Sequence, residues 1–110
     1  MPSPTYQQYS VTTTLAAGVA TVLDIPINGC TNWQIILRNT GATNAVTAAT
    51  IAVSSLGTLF SAAASITTGI PLEAVTSLDA IVGSSQPCLT ARLTLTSTSG
   101  TTVSLEMVGS

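Results

Sequence analysis

The chain has 110 residues, room for one domain, and a formal net charge of −2. Charged residues make up 5% of it, against roughly 25% in an average soluble domain; they are Asp24, Arg38, Glu73, Asp79, Arg92 and Glu106, with no lysine and no histidine. Two arginines cannot make a phosphate-binding groove or a patch for anionic lipid, and four aromatic residues offer few stacking platforms, which excludes nucleic acid and membrane surfaces as partners. A hydrophobic share of 45% argues against disorder. The apolar runs, such as Ile35–Leu37, are far shorter than the about 20 residues of a membrane-spanning helix. The N-terminus has neither the basic nor the apolar region of a secretory signal.

Serine and threonine fill the space that charges leave (13 Ser and 20 Thr), and they alternate with apolar residues at the period of two that marks strands. Residues 1–8 read as a polar, extended N-terminal arm bearing Pro2, Pro4 and Tyr6. The domain proper is expected over 9–110. Tyr9, Val11, Thr13 and Leu15 form the inward side of a first strand. Val19 to Ile27 is a second, with Val19, Thr21, Leu23, Ile25 and Ile27 on one face. Pro26 cannot donate to a ladder, so it marks an edge or a strand end. Asn28-Gly29 is a turn signal. Trp33, Ile35 and Leu37 face one way in a third strand, Gln34, Ile36 and Arg38 the other, and Asn39-Thr40-Gly41 ends it. A fourth run spans Ala45–Ser54, with Ala49, Ile51 and Val53 alternating.

Residues 58–87 carry a weaker pattern. Leu59–Ile66 fits one or two helical turns, because alanine favours helix, as well as a strand or irregular segment. Pro71–Val75 and Leu78–Val82 read as short strands, and Gly83–Pro87 as a loop. Cys88–Thr96 alternates strictly, with Leu89, Ala91, Leu93 and Leu95 inward. Thr102–Val108 answers with Val103, Leu105 and Met107 inward. Joined by Ser97–Gly100, these two runs are expected to form a hairpin, with Arg92 and Glu106 as possible cross-strand neighbours. The fold class is all-β: a single antiparallel sandwich, jelly-roll-like, of about eight short strands.

The residue types exclude most catalysis. A serine or cysteine nucleophile needs a positioned base, and the chain has no histidine or lysine to supply one. Cys30 and Cys88 make no CxxC, and four scattered carboxylates complete no zinc site, so no metal and no cofactor is expected. The two cysteines read as small buried residues with free thiols. A disulfide would require their strands to run parallel or to face each other across the sandwich. Nothing in the spacing of Asp24, Glu73, Asp79 and Glu106 brings two carboxylates over a cleft as glycoside hydrolysis needs. Trp33 shares its face with Ile35 and Leu37 and is expected in the core, not on a sugar platform. The threonine pairs are too irregular for an ice-binding face. Tyr6 and Tyr9, with Pro2 and Pro4, are the candidate interaction residues: an extended arm can lie across a neighbour, with tyrosines as anchors. A frayed terminus is the competing reading.

Several stretches together resemble small β-rich virion proteins of tailed bacteriophages, in particular capsid decoration (cement) proteins. They are Trp33–Arg38 ending in Asn39-Thr40-Gly41, the Ala/Thr/Val run Ala45–Val53, the Ile70-Pro71-Leu72 bend and the closing Thr/Leu segment Leu89–Val108. The resemblance implies a jelly-roll-like sandwich, often trimeric, seated on the outside of a phage head and bridging capsomers. It further implies the major capsid protein and copies of itself as partners, assembly in the host cytoplasm, and an arm that contacts shell proteins or neighbouring copies. It transfers no site residue. Two other readings stand beside it: another virion part (tail, fibre or adaptor), and an Ig-like bacterial surface or secreted domain that binds sugars or cells. The last is expected to bring a cell-anchoring segment or linker, and neither is seen between Met1 and Ser110. An enzyme is not expected.

Overall fold

Alternating apolar and hydroxyl residues give each strand one face for a core and one for solvent, and two such sheets can close on each other. The computed structural model describes residues 7–56, 59–66, 70–74, 80–84 and 88–110. Its strands are β1 (Gln7–Leu15), β2 (Thr21–Pro26), β3 (Trp33–Asn39), β4 (Ala48–Ser54), β5 (Ala64–Ser65), β6 (Ala80–Ser84), β7 (Thr90–Thr96) and β8 (Thr101–Gly109). They form two four-stranded sheets, ordered β1-β8-β3-β6 and β2-β7-β4-β5. Every strand pairing is antiparallel. Apart from β4 and β5, consecutive strands lie in opposite sheets. This is the jelly-roll order, two interleaved Greek keys.

The core lies between the sheets. Leu15, Trp33, Ile35, Leu37, Val103, Leu105 and Met107 enter it from one side, and Ile25, Ala49, Ala91, Leu93 and Leu95 from the other. The parities read from the sequence hold for β3, β7 and β8. In β2 the inward face is buried only from Ile25 onward, and Val19, ahead of the strand, is exposed. Leu89, just before β7, is also exposed, at 40%. Asn28 and Gly29 take positive φ (56° and 79°) and turn the chain out of β2. Ile27 and Asn28 N–H both donate to Leu89 O (2.9 and 3.0 Å), so the ladder bulges there before the chain crosses to the other sheet.

The expected closing hairpin is corrected. β7 pairs with β2 and β4, whereas β8 pairs with β1 and β3. Alternation fixes which side of a strand is apolar but not which strand lies beside it. Two apolar faces can meet across the core as well as side by side. The turn is held for that crossing by Ser97, whose Oγ donates to Ala45 O (2.6 Å) and accepts from Gly100 N (3.1 Å). Arg92 and Glu106 are therefore not neighbours.

Two further corrections concern boundaries. Pro71–Ala74 is not a strand: only Leu72 is paired, bridging Val46, and Val75 lies outside the described residues. The arm expected over residues 1–8 gives way to β1 at Gln7: Gln7 and Gln8 pair with Gly109 and Val108, because β8 is long enough to extend the ladder. Pro2, Pro4 and Tyr6 lie outside the described residues, as does Asp79. Leu59–Ile66 contains no helix; it runs beside β4 and contributes β5.

Candidate interaction surface

β1, β8 and β3 carry three rows of side chains on the outer face of the first sheet. Their register sets Gln8, Val108 and Gln34 in one row, Ser10, Glu106 and Ile36 in the next, and Thr12, Ser104 and Arg38 in a third. The hydroxyls bond across the strands: Thr12 Oγ1 lies 3.0 Å from Ser104 Oγ, and Thr14 Oγ1 lies 3.5 Å from Thr102 Oγ1. Gln8, Ser10, Gln34, Ile36, Glu106 and Val108, together with Tyr9 and Met107, line a groove on this face. Glu106 and Arg38 are the ionisable groups among these three rows, so most of the surface presents neutral donors, acceptors and methyl groups.

The opposite outer face carries an ion pair. Arg92 donates from Nε to Asp24 Oδ1 (2.8 Å) and from Nη2 to Asp24 Oδ2 (3.1 Å). Their backbones are register partners in β2 and β7. The Phe60 ring lies over the guanidinium, 3.9 Å from Cζ to the ring centroid. The hydrogen bond from Arg92 holds the Asp24 carboxyl below the ordinary carboxylate value. Asp24 and Glu106 thus sit on opposite faces of the sandwich, with no shared cleft. Glu73 is exposed beside Leu72. Among the described residues, no three of His, Cys, Asp and Glu cluster closely enough to hold a metal ion.

One end of the sandwich carries a buried polar lock that the sequence reading treated only as a strand end. Asn39 is 1% exposed. Its Nδ2 donates to Asn44 O (2.7 Å) and Leu72 O (2.9 Å). Its Oδ1 accepts from Gly41 N (3.0 Å) and Thr101 Oγ1 (2.8 Å). All four positions of the amide are filled. Asn44 Nδ2 reaches on to Gly100 O (2.7 Å). The signal was present: Asn39 shares the parity of Trp33, Ile35 and Leu37, so its amide had to point inward. Amides and hydroxyls that satisfy one another hold loops together and supply no acid, base or nucleophile.

The candidate residues separate accordingly. Tyr9 stands in β1 opposite Met107, half-buried, with its ring packed against the core. Trp33 is a core residue. Cys30 and Cys88 are buried free thiols. Burial, with Cys30 nearby, pushes the Cys88 thiol up, which makes it a poor nucleophile.

Fold and surface together define a jelly-roll β-sandwich whose β1-β8-β3 outer face mixes hydroxyl, amide and apolar side chains with Glu106 and Arg38. No protein-family model matches the sequence, and no curated protein matches it. Among solved structures, the chain is similar to VP2 of infectious bursal disease virus in its subviral particle (11% identity, TM-score 0.49, covering 94% of this chain and 32% of that one). It is also similar to the Gx strain of that virus (12% identity, TM-score 0.49, 96% and 32%). A third similarity is to the disulfide-linked pili of Bacillus endospore appendages (15% identity, TM-score 0.46, 99% and 91%). The chain spans about a third of the viral chains' length, 32% in each case.

Proposed function

We propose that the chain is a structural virion protein of the capsid decoration type, which binds the outside of a phage head and bridges its subunits without catalysing a reaction. The observation that carries this reading is the outer face of β1, β8 and β3. Its Ser, Thr and Gln side chains, with Ile36 and Val108 among them and Glu106 and Arg38 as the charged members of the three rows, suit a surface packed permanently against protein. Such a face forms hydrogen bonds on contact and carries little charge to desolvate. The jelly-roll order supports the reading without deciding it, since lectins and cupins share that architecture. An Ig-like domain is disfavoured, because an Ig sandwich keeps a different strand order. The sequence resemblance adds the major capsid protein and copies of this chain as partners, with avidity from several copies strengthening each attachment.

The test is co-sedimentation of the purified protein with phage heads that lack it. Saturable binding to heads, absent with isolated tails, is the expected result. Binding to tails or to immobilised glycans instead would overturn it. The arm is tested by removing residues 1–6 only, since a longer deletion would cut into β1. The shortened chain should fold and lose head binding. Binding that survives would assign attachment to the sandwich face alone.

A further inference from the structure

We propose that β1 is a self-association edge on which a second copy of this chain docks its own β1 antiparallel, joining two sheets into one. This deepens the self-association part of the proposed function and does not depend on head binding. β1 ends its sheet and pairs only with β8. The other side of its backbone has no strand partner among the described residues. Natural edge strands are blunted by charge, proline, bulges or short length. β2 carries Asp24 and Pro26, β5 has two residues, and β6, the other end of the same sheet, has five, one of them Gly83. β1 has nine residues and no charge, proline or glycine. Its register with β8 runs unbroken from Gln7↔Gly109 to Leu15↔Thr101, so no bulge turns it aside.

Burial falls away toward that edge. Met107, Leu105 and Val103 are buried in β8, whereas their cross-strand partners Tyr9, Val11 and Thr13 are half-buried. An added strand would cover the exposed flank of those side chains.

The occupant follows from self-complementarity. In an antiparallel pair centred on Val11, Ser10 lies opposite the second copy's Thr12, and Gln8 opposite its Thr14. That extends the hydroxyl pairing already made by Thr12 with Ser104 and Thr14 with Thr102. On the inward side Val11 meets Val11, and Tyr9 meets Thr13. No like charges meet, and the contact is isologous, so it closes as a two-fold pair.

The experiment is light scattering after size exclusion, over about a hundredfold range of concentration. The wild-type chain should pass from monomer to dimer. Gln8 and Thr14 point outward, are exposed and lie opposite uncharged Val108 and Thr102, so Gln8→Lys/Thr14→Lys and Gln8→Glu/Thr14→Glu should each keep the fold, checked by circular dichroism, and each stay monomeric. Mixing the two should restore dimers, because lysines then face glutamates. Amide hydrogen exchange in the wild-type chain gives a second readout: protection of residues 7–15 should rise with concentration. A wild-type chain that stays monomeric, a lysine variant that still associates, or β1 protection that ignores concentration would overturn the proposal. Dimers that form without binding heads would refute the decoration reading and leave the edge pairing standing.

Discussion

The buried hydroxyl of Thr101 donates a 2.8 Å hydrogen bond to Asn39 Oδ1, tying the start of β8 to the end of β3. The same amide reaches Leu72 O, 33 residues away in the chain. One side chain thereby secures two strands and a returning loop. Truncating it in Asn39→Ala strands two carbonyls, one N–H and one hydroxyl with reduced access to water. The expected loss is about 3 kcal/mol, measured by urea unfolding, with the slope of the transition unchanged.

Gly41 sits against the same lock. A Cβ there would collide with Thr101 Oγ1, the hydroxyl that Asn39 needs. Gly41→Ala should cost about 1–3 kcal/mol, read as a lower thermal midpoint. Alanine at Gly29 tests a different cause, since nothing crowds that site and only its positive φ opposes a side chain.

Acid should weaken the Asp24–Arg92 pair in a defined direction. The folded carboxyl titrates below its ordinary 3.8 because Arg92 is hydrogen-bonded to it. The folded state therefore holds fewer protons than the unfolded state in that interval. The stabilisation is complete above the ordinary value and disappears as pH falls through the lower folded one. Both side chains are substantially exposed, at 40% and 48%, so solvent keeps the effect small. Asp24→Asn should lose less thermal stability than the wild-type chain between about pH 6 and pH 2. Equal losses would show that the pair contributes nothing.

Thiol labelling should report on the integrity of the sandwich. Cys30 and Cys88 are both buried, and the raised Cys88 thiol is scarcely ionised at neutral pH. An aromatic disulfide reagent should react slowly with the folded chain and rapidly with both thiols in denaturant. Asn39→Ala should accelerate labelling under native conditions if it loosens the fold as expected.

The face that β3, β7 and β8 each bury was legible in the sequence. Leu93, Leu95, Val103, Leu105 and Met107 all lie where their parity places them. Leu89 departs because it precedes β7, where the sandwich ends. The weakest stretch was 58–87, whose small residues give little periodic contrast. Among its described residues, Ala64 and Ser65 are placed by pairing with β4 and Leu72 by its bridge to Val46.

By itself, the sequence determined an all-β sandwich with a hydroxyl surface and few charges, because period-two alternation and residue type are local properties. Tertiary structure alone decided the neighbours. It sent β7 and β8 to opposite sheets, gave Arg92 to Asp24 rather than Glu106, and made Asn39 a lock instead of a turn residue. The reason is that an apolar face specifies only that it must be covered. Which strand covers it, and which edge stays open, depends on loops that close over dozens of residues and on polar groups that must find partners where the sheets meet.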